Sequence, residues 1–188
     1  MKNLNFLQLQ HFDKLVFPED FSELTLDSPA LSFVSDFKSH HPTLLTPSVS
    51  AMHAAQIMHA GHLSAVLVID RESVFTGLLT AEDISYQRVM QRVAAGVSRH
   101  DLTVGDLMRS RSELKILSYQ QVERCSIREV LEAMRRHGQP DCLLVDLHNH
   151  HMRGLISASE VGRRLHADIS IDSVPTFADI QRAVAPTH

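Results

Sequence analysis

Two stretches of this chain repeat one another at an almost constant offset, and a duplication of that kind restricts the fold more than any single motif does. Ser50-Ala-Met-His-Ala-Ala-Gln-Ile-Met58 aligns with Ser126-Ile-Arg-Glu-Val-Leu-Glu-Ala-Met134 at 76 positions. The apolar runs Val66-Leu-Val-Ile-Asp70 and Cys142-Leu-Leu-Val-Asp146 keep that offset. One residue is then gained in the second copy, so that Gly77-Leu-Leu-Thr80 and Gly154-Leu-Ile-Ser157, like Asp83 and Glu160, stand 77 apart.

One copy reads as β-α-β-β-α. Ser50 and Ser126 are N-cap candidates, because a serine hydroxyl accepts the unpaired amides of a first helical turn. Ser126 with Glu129 also has the spacing of a capping box. Ile127, Val130, Leu131 and Met134 recur at helical spacing, matched by Ala51, Ala54, Ala55 and Met58. Gly61 and Gly138 are C-cap candidates. Val66–Ile69 and Cys142–Val145 are short, continuously apolar runs, as expected of strands buried on both faces. Polar turns at Asp70 and Asp146 lead to partner strands, Val74–Leu79 and Met152–Ile156. A second helix is expected to start at Thr80 and at Ser157, running in the first copy from Ala81 to Ala95.

An upstream strand precedes each helix, at Leu44-Leu45 and at Leu114–Leu117, with a turn of helix expected between Ser118 and Arg124. Lead-ins come before these, Phe33–Phe37 and Val104–Met108. The reading is therefore α/β in class: an N-terminal packing segment at 1–32, repeats at 33–96 and 104–167, a linker at 97–103, and a C-terminal turn and short helix at 168–188. That last helix would be capped by Thr176 with Asp179 at its third position, as a lid on the core or a docking element. Neither copy is long enough to bury a stable core alone, so the two should pack together.

Composition narrows the function classes. Hydrophobic residues make up 44% and charged residues 21%, which is ordinary globular usage. The net charge of −4 gives no electrostatic footprint for nucleic acid. No apolar run approaches the roughly 18 residues of a membrane span, and Met1–Gln10 has no secretion-signal pattern. Cys125 and Cys142 lie in apolar segments and read as core residues of a reducing compartment, so a cytoplasmic location is expected. There are 13 histidines, and His148-Asn-His-His151 has the look of a metal tract. It falls in a turn, however, without a zinc-type ligand set, so no metal is expected. No Gly-rich phosphate loop, Ser-His-Asp order or metal triad stands out, which points away from catalysis.

These duplicated motifs resemble the CBS-domain family, and in particular the tandem pair called a Bateman module. The residues that carry the resemblance are the Ser-led helices ending at Met58 and Met134, the strands ending at Asp70 and Asp146, Gly77-Leu-Leu-Thr-Ala-Glu-Asp83, Gly154-Leu-Ile-Ser-Ala-Ser-Glu160, and Val104-Gly-Asp-Leu-Met108. The resemblance implies two halves packed through their sheets, two pseudo-symmetric clefts, homodimers, and a regulatory role for an unidentified partner protein. It also implies a regulatory ligand of adenosine type, either AMP, ADP or ATP, or S-adenosylmethionine, with no required cofactor.

Carried over by position, Thr80 and Ser157 would contact phosphate, and Asp83 and Glu160 would hold the ribose. A helix N-terminus suits an anion, and a carboxylate can accept from both ribose hydroxyls. The same four residues equally form capping boxes that need no ligand. Nucleotide-binding members of the family often carry a basic residue just before the second strand, where this chain has Ser64-Ala65 and Pro140-Asp141. Asp141 would oppose phosphate by about 1 kcal/mol even when screened, and His62, Arg71, Arg88 and Lys115 are the replacement cations on offer. A monophosphate or an uncharged adenosyl compound therefore fits better than a triphosphate. A ligand-free dimerisation or scaffold module is the alternative reading.

Overall fold

The computed structural model describes Gln8, Gln10 and residues 24–165; the expected C-terminal helix and most of the N-terminal segment lie outside the described residues. In the first repeat, β2 (Leu44–Leu45) leads to α1 (Ala51–Ala60), then β3 (Ala65–Ile69), β4 (Phe75–Thr80) and α2 (Tyr86–Ala94). In the second, β6 (Ile116–Ser118) and the short α4 (Tyr119–Val122) lead to α5 (Ile127–Arg136), β7 (Asp141–Asp146), β8 (His151–Ser157) and α6 (Ala158–Arg164). The lead-ins supply β1 (Ser35–Asp36), α3 (Val104–Leu107) and β5 (Arg109–Ser110).

The helices are set by their caps and apolar faces. Ser50 accepts from the His53 amide, and Ser126 and Glu129 form the reciprocal capping box. Each helix buries the residues that its spacing nominates: Ala51, Ala54 and Met58 in α1, and Ile127, Val130, Leu131 and Met134 in α5. Gly138 closes α5 at φ +60°, with the Gln139 amide bonded back to Met134. In the first copy the left-handed position falls one residue later than expected, on His62 at φ +50°; Gly61 has an ordinary φ of −88°.

Two four-stranded sheets result, in the orders β2-β3-β4-β5 and β1-β8-β7-β6. The first lead-in strand, β1, belongs to the sheet of the second repeat, with Ser35 opposite Leu155 and Asp36 opposite Gly154. The second, β5, belongs to the sheet of the first repeat, with Ser110 opposite Gly77 and Arg109 opposite Leu78. The residues upstream of each strand cross with it. Pro29 bridges to Ser126 and Thr103 bridges to Ser50. Ala30 and Phe33 are buried in the core of the second repeat, and Leu102, Val104 and Leu107 in that of the first.

The glycine of each duplicated Gly-Leu motif makes room for this crossing. A Cβ on Gly77 would collide with the Arg109 carbonyl oxygen, and one on Gly154 would stand 2.7 Å from Val34 Cγ1 and 2.9 Å from the Ser35 carbonyl. One residue before each glycine, a β-bulge places Thr76 and Arg153 outside the ladder. Their carbonyls accept the amides of Arg111 (2.8 Å) and Phe37 (2.9 Å), extending the seat of each crossing strand.

The sheets face one another through Ala65, Leu67, Leu78 and Leu143, with Phe37, Phe75, Leu114 and Leu155 around them. Helices cover the outer faces, so the chain is a mixed α/β pair of repeats about a pseudo-dyad. Among the described residues no helix is long and apolar enough to cross a membrane.

If the crossing strands hold the halves together, Gly77→Ala has to push β5 off its seat. Overpacking against backbone costs about 1–3 kcal/mol, so chemical denaturation should show a loss of that size for Gly77→Ala and a similar or smaller one for Gly154→Ala. Unchanged midpoints in both variants would contradict the close approach.

Candidate functional site

The inner faces of the two sheets run from a buried polar end to an open apolar one. Asp141, Leu143 and Val145 share one face of β7, because alternate residues of a strand point the same way. Beyond Asp141, at the buried end, three of the four residues expected to bind a ligand come together.

Thr80 is fully buried at the end of β4 and Asp83 is 9% exposed. Asp83 Oδ2 accepts from the Thr80 amide (3.0 Å) and hydroxyl (2.6 Å), while the Asp83 amide donates to Thr80 Oγ1 at 3.3 Å. This is the reciprocal pattern of a capping box, but it closes a turn. The helix does not begin at Thr80: Ser85, in an extended conformation, interrupts the chain and caps α2, which starts at Tyr86. Arg109 on the crossing strand β5 donates from Nε to the same Asp83 oxygen at 3.3 Å. Asp83 Oδ2 is therefore committed to the chain's own groups.

The second copy differs. Ser157 is buried opposite Asp141 and stands at the start of α6, but its hydroxyl pairs with Ser159 (2.8 Å) and makes no cap bond. Glu160 is turned away into a two-pronged pair with Arg163, at 3.1 and 2.7 Å. The expected Ser157–Glu160 capping box does not form, because Arg163 one turn along the helix takes the carboxylate.

Asp141 is 6% exposed and its Oδ1 has no hydrogen-bond partner. Burial pushes its carboxyl up to about 6, against the pull of the Ser157 hydroxyl, the Arg109 guanidinium and the Ser64 hydroxyl; the Asp83 carboxylate adds to the rise. Two carboxylates thus share one guanidinium in the seam. The neighbouring Cys142 thiol is raised to about 12, by burial first and then by Asp141, which removes it as a nucleophile.

At the other end of the same faces lies a cleft of about 470 Å³. Its apolar wall is formed by Phe75, Leu114, Ile116, Leu143, Val145 and Met152. Arg111 and His150 supply its polar groups. Ile116 and Met152 are 47% and 38% exposed. Thr80, Asp83, Ser157 and Glu160 are not on this wall. Of the cations placed at the two ends, Arg109 follows the motif Val104-Gly-Asp-Leu-Met108 directly, a signal that sequence reading passed over, and Arg111 stands two residues further on. Among the described residues no three metal-capable side chains converge.

A pair of β-α-β-β-α units, interleaved by their lead-in strands and leaving a cleft between their sheets, defines the architecture of a tandem α/β repeat. Residues 34–88 match the CBS domain family, and the second repeat has the same order of elements with the short α4 added. Among solved structures, an uncharacterized conserved protein from Pyrococcus horikoshii has 16% identity and a TM-score of 0.55, over 80% of this chain and 100% of that one. A conserved CBS domain protein, TA0289, from Thermoplasma acidophilum has 16% identity and a TM-score of 0.52, over 80% and 76%. The CBS domain pair of protein MJ0100, solved in complex with 5′-methylthioadenosine and S-adenosyl-L-methionine, has 15% identity and a TM-score of 0.51, over 76% and 98%. These likenesses are of fold. No curated protein matches the sequence.

The buried carboxyl gives a pH test. Asp141 holds its proton more tightly when folded than in the unfolded chain, where aspartate titrates near 4. Between about 4 and 6 the folded state therefore binds more protons, so this group's contribution to stability falls as pH rises. Above 6 the full cost remains, on the order of 2–3 kcal/mol for a shift of this size. Asp36, Asp106, Glu113 and Glu129, all shifted downward by hydrogen bonds, work in the opposite sense, so the difference between variants is what isolates Asp141. Asp141→Asn should raise the thermal midpoint at pH 7.5, and its advantage should shrink toward pH 4. An advantage that is constant over that range would contradict the assignment.

Proposed function

We propose that this chain is a non-catalytic regulatory module that binds an adenosine-type ligand, an AMP-like nucleotide or S-adenosylmethionine, in the cleft between its two CBS repeats. The observation that carries this reading is the cleft itself. Its volume lies within the range of small-molecule pockets, about 300–1,000 Å³, and its wall is mostly apolar with a few placed polar groups, as such pockets usually are. The adenosyl compounds bound to the MJ0100 domain pair support the ligand class.

In this reading Thr80 and Asp83 act from behind the site. They hold Arg109, and through it the crossing strand that carries Arg111 to the rim. Phe75 comes from the sheet of the first repeat, and Ile116, Leu143, Val145 and Met152 from that of the second. A molecule between them bears on how the two sheets sit together. It can shift that pose only by as much as its affinities for the two poses differ. A partner that reads the pose would then sense the ligand.

Thermal unfolding and calorimetry with AMP, ADP, ATP and S-adenosylmethionine test this. A true ligand at about 100 times its dissociation constant adds roughly 2.7 kcal/mol of stability. Asp83→Ala should be less stable than the wild type yet still gain from the ligand. No response to any of the four at millimolar concentration would leave the ligand-free dimerisation or scaffold reading in its place.

A further inference from the structure

The cleft is polarised along its length. Its mouth carries two nitrogen-bearing side chains, Arg111 and His150, on an otherwise apolar wall. Its inner direction leads along the face of β7, from Val145 through Leu143 to the buried carboxyl of Asp141. Asp83 lies within electrostatic reach of Asp141, so the inner end holds two acids against one guanidinium. An anion is opposed at the inner end and attracted at the mouth.

Arg111 is exposed and has no carboxylate partner among the described residues, whereas Arg109, Arg128, Arg153 and Arg163 are all paired. The nearest acid along the chain, Glu113, is occupied by the Ser110 amide at 2.8 Å and by the Ser110 hydroxyl. Backbone geometry fixes both cleft residues. The Arg111 amide is tied to the Thr76 carbonyl, on the sheet of the first repeat. His150 sits at φ +54° in the β7–β8 turn, which Asp146 holds by accepting from Asn149 Nδ2 at 2.7 Å and from the His148 amide at 3.0 Å.

From this polarity, and resting on the adenosine reading above, we propose that Arg111 and His150 form an anion subsite at the mouth of the cleft. The ligand class is then an adenosine compound with an acidic group, of which a nucleoside monophosphate is the simplest, bound with its anion outward. An uncharged thioether nucleoside leaves this subsite empty. The anion joins the edge of the first sheet to the turn of the second, which couples its binding to the pose of the repeats.

Calorimetry with AMP, adenosine, 5′-methylthioadenosine and inorganic phosphate, on the full chain and on Arg111→Gln, Arg111→Lys and His150→Asn, tests the subsite. Asparagine tolerates the left-handed backbone at position 150. A charge-assisted contact to phosphate predicts AMP at least about tenfold tighter than adenosine. Arg111→Gln should bring AMP down to the affinity of adenosine without moving adenosine itself. Arg111→Lys should keep part of the preference, and His150→Asn should lose part of it. Equal binding of AMP and adenosine, equal weakening of both by Arg111→Gln, or phosphate binding as tightly as AMP would each overturn this proposal while leaving a ligand in the cleft. If none of the four compounds binds, the adenosine reading falls and takes this one with it.

Discussion

The structure depends on one close approach made twice: a crossing strand lying directly over a glycine. At Gly77 the backbone of Arg109 occupies the space of a side chain, and at Gly154 the backbone of Ser35 and the Val34 side chain do so. Because the strand over each glycine comes from the lead-in of the other repeat, neither apolar core closes without the opposite half. Phe33, before the first repeat's own strands, is buried against α5 and β8, and Leu102 and Val104 are buried beside α1. Paired sheets alone would be two small domains in contact. The exchange makes them one unit with a seam, and the cleft lies in that seam.

Within that pseudo-symmetric frame the charges are placed without symmetry. Each crossing strand is fastened by an ion pair, but with reversed polarity. Arg109 on β5 reaches Asp83, whereas Asp36 on β1 is gripped by both prongs of Arg153 at 3.0 Å, with the guanidinium stacked 4.4 Å from the Tyr119 ring centre. The alanine at position 65 becomes Asp141 in the second copy, so the seam has one buried acid that duplication alone would not give it. An unpaired buried carboxyl oxygen costs stability.

Much of the frame was legible in the sequence because it rests on local rules. The 76-residue offset located both helices, and Ser126 with Glu129 declared its cap. The continuous apolar runs became the central strands β3 and β7. The exchange was not legible. β1 and β5 are two residues long, too short for any period to show, and their partners are set by tertiary packing. The site was only partly legible, for a related reason. Thr80 and Asp83 announced themselves through their spacing, but spacing is blind to Arg109 arriving from the other repeat to take the carboxylate. Ser157 and Glu160 have equivalent spacing, yet Arg163 one turn on redirects Glu160. Arg111 stood outside every motif, and its place at the cleft follows from the crossing of β5.

The most direct test of the account is a crystal structure of the full chain grown with AMP. The account predicts electron density for the nucleoside between Phe75, Ile116 and Met152, with Arg109 still bonded to Asp83. A ribose seated on Asp83, with Arg109 displaced and the wall at Ile116 and Met152 bare, would contradict it.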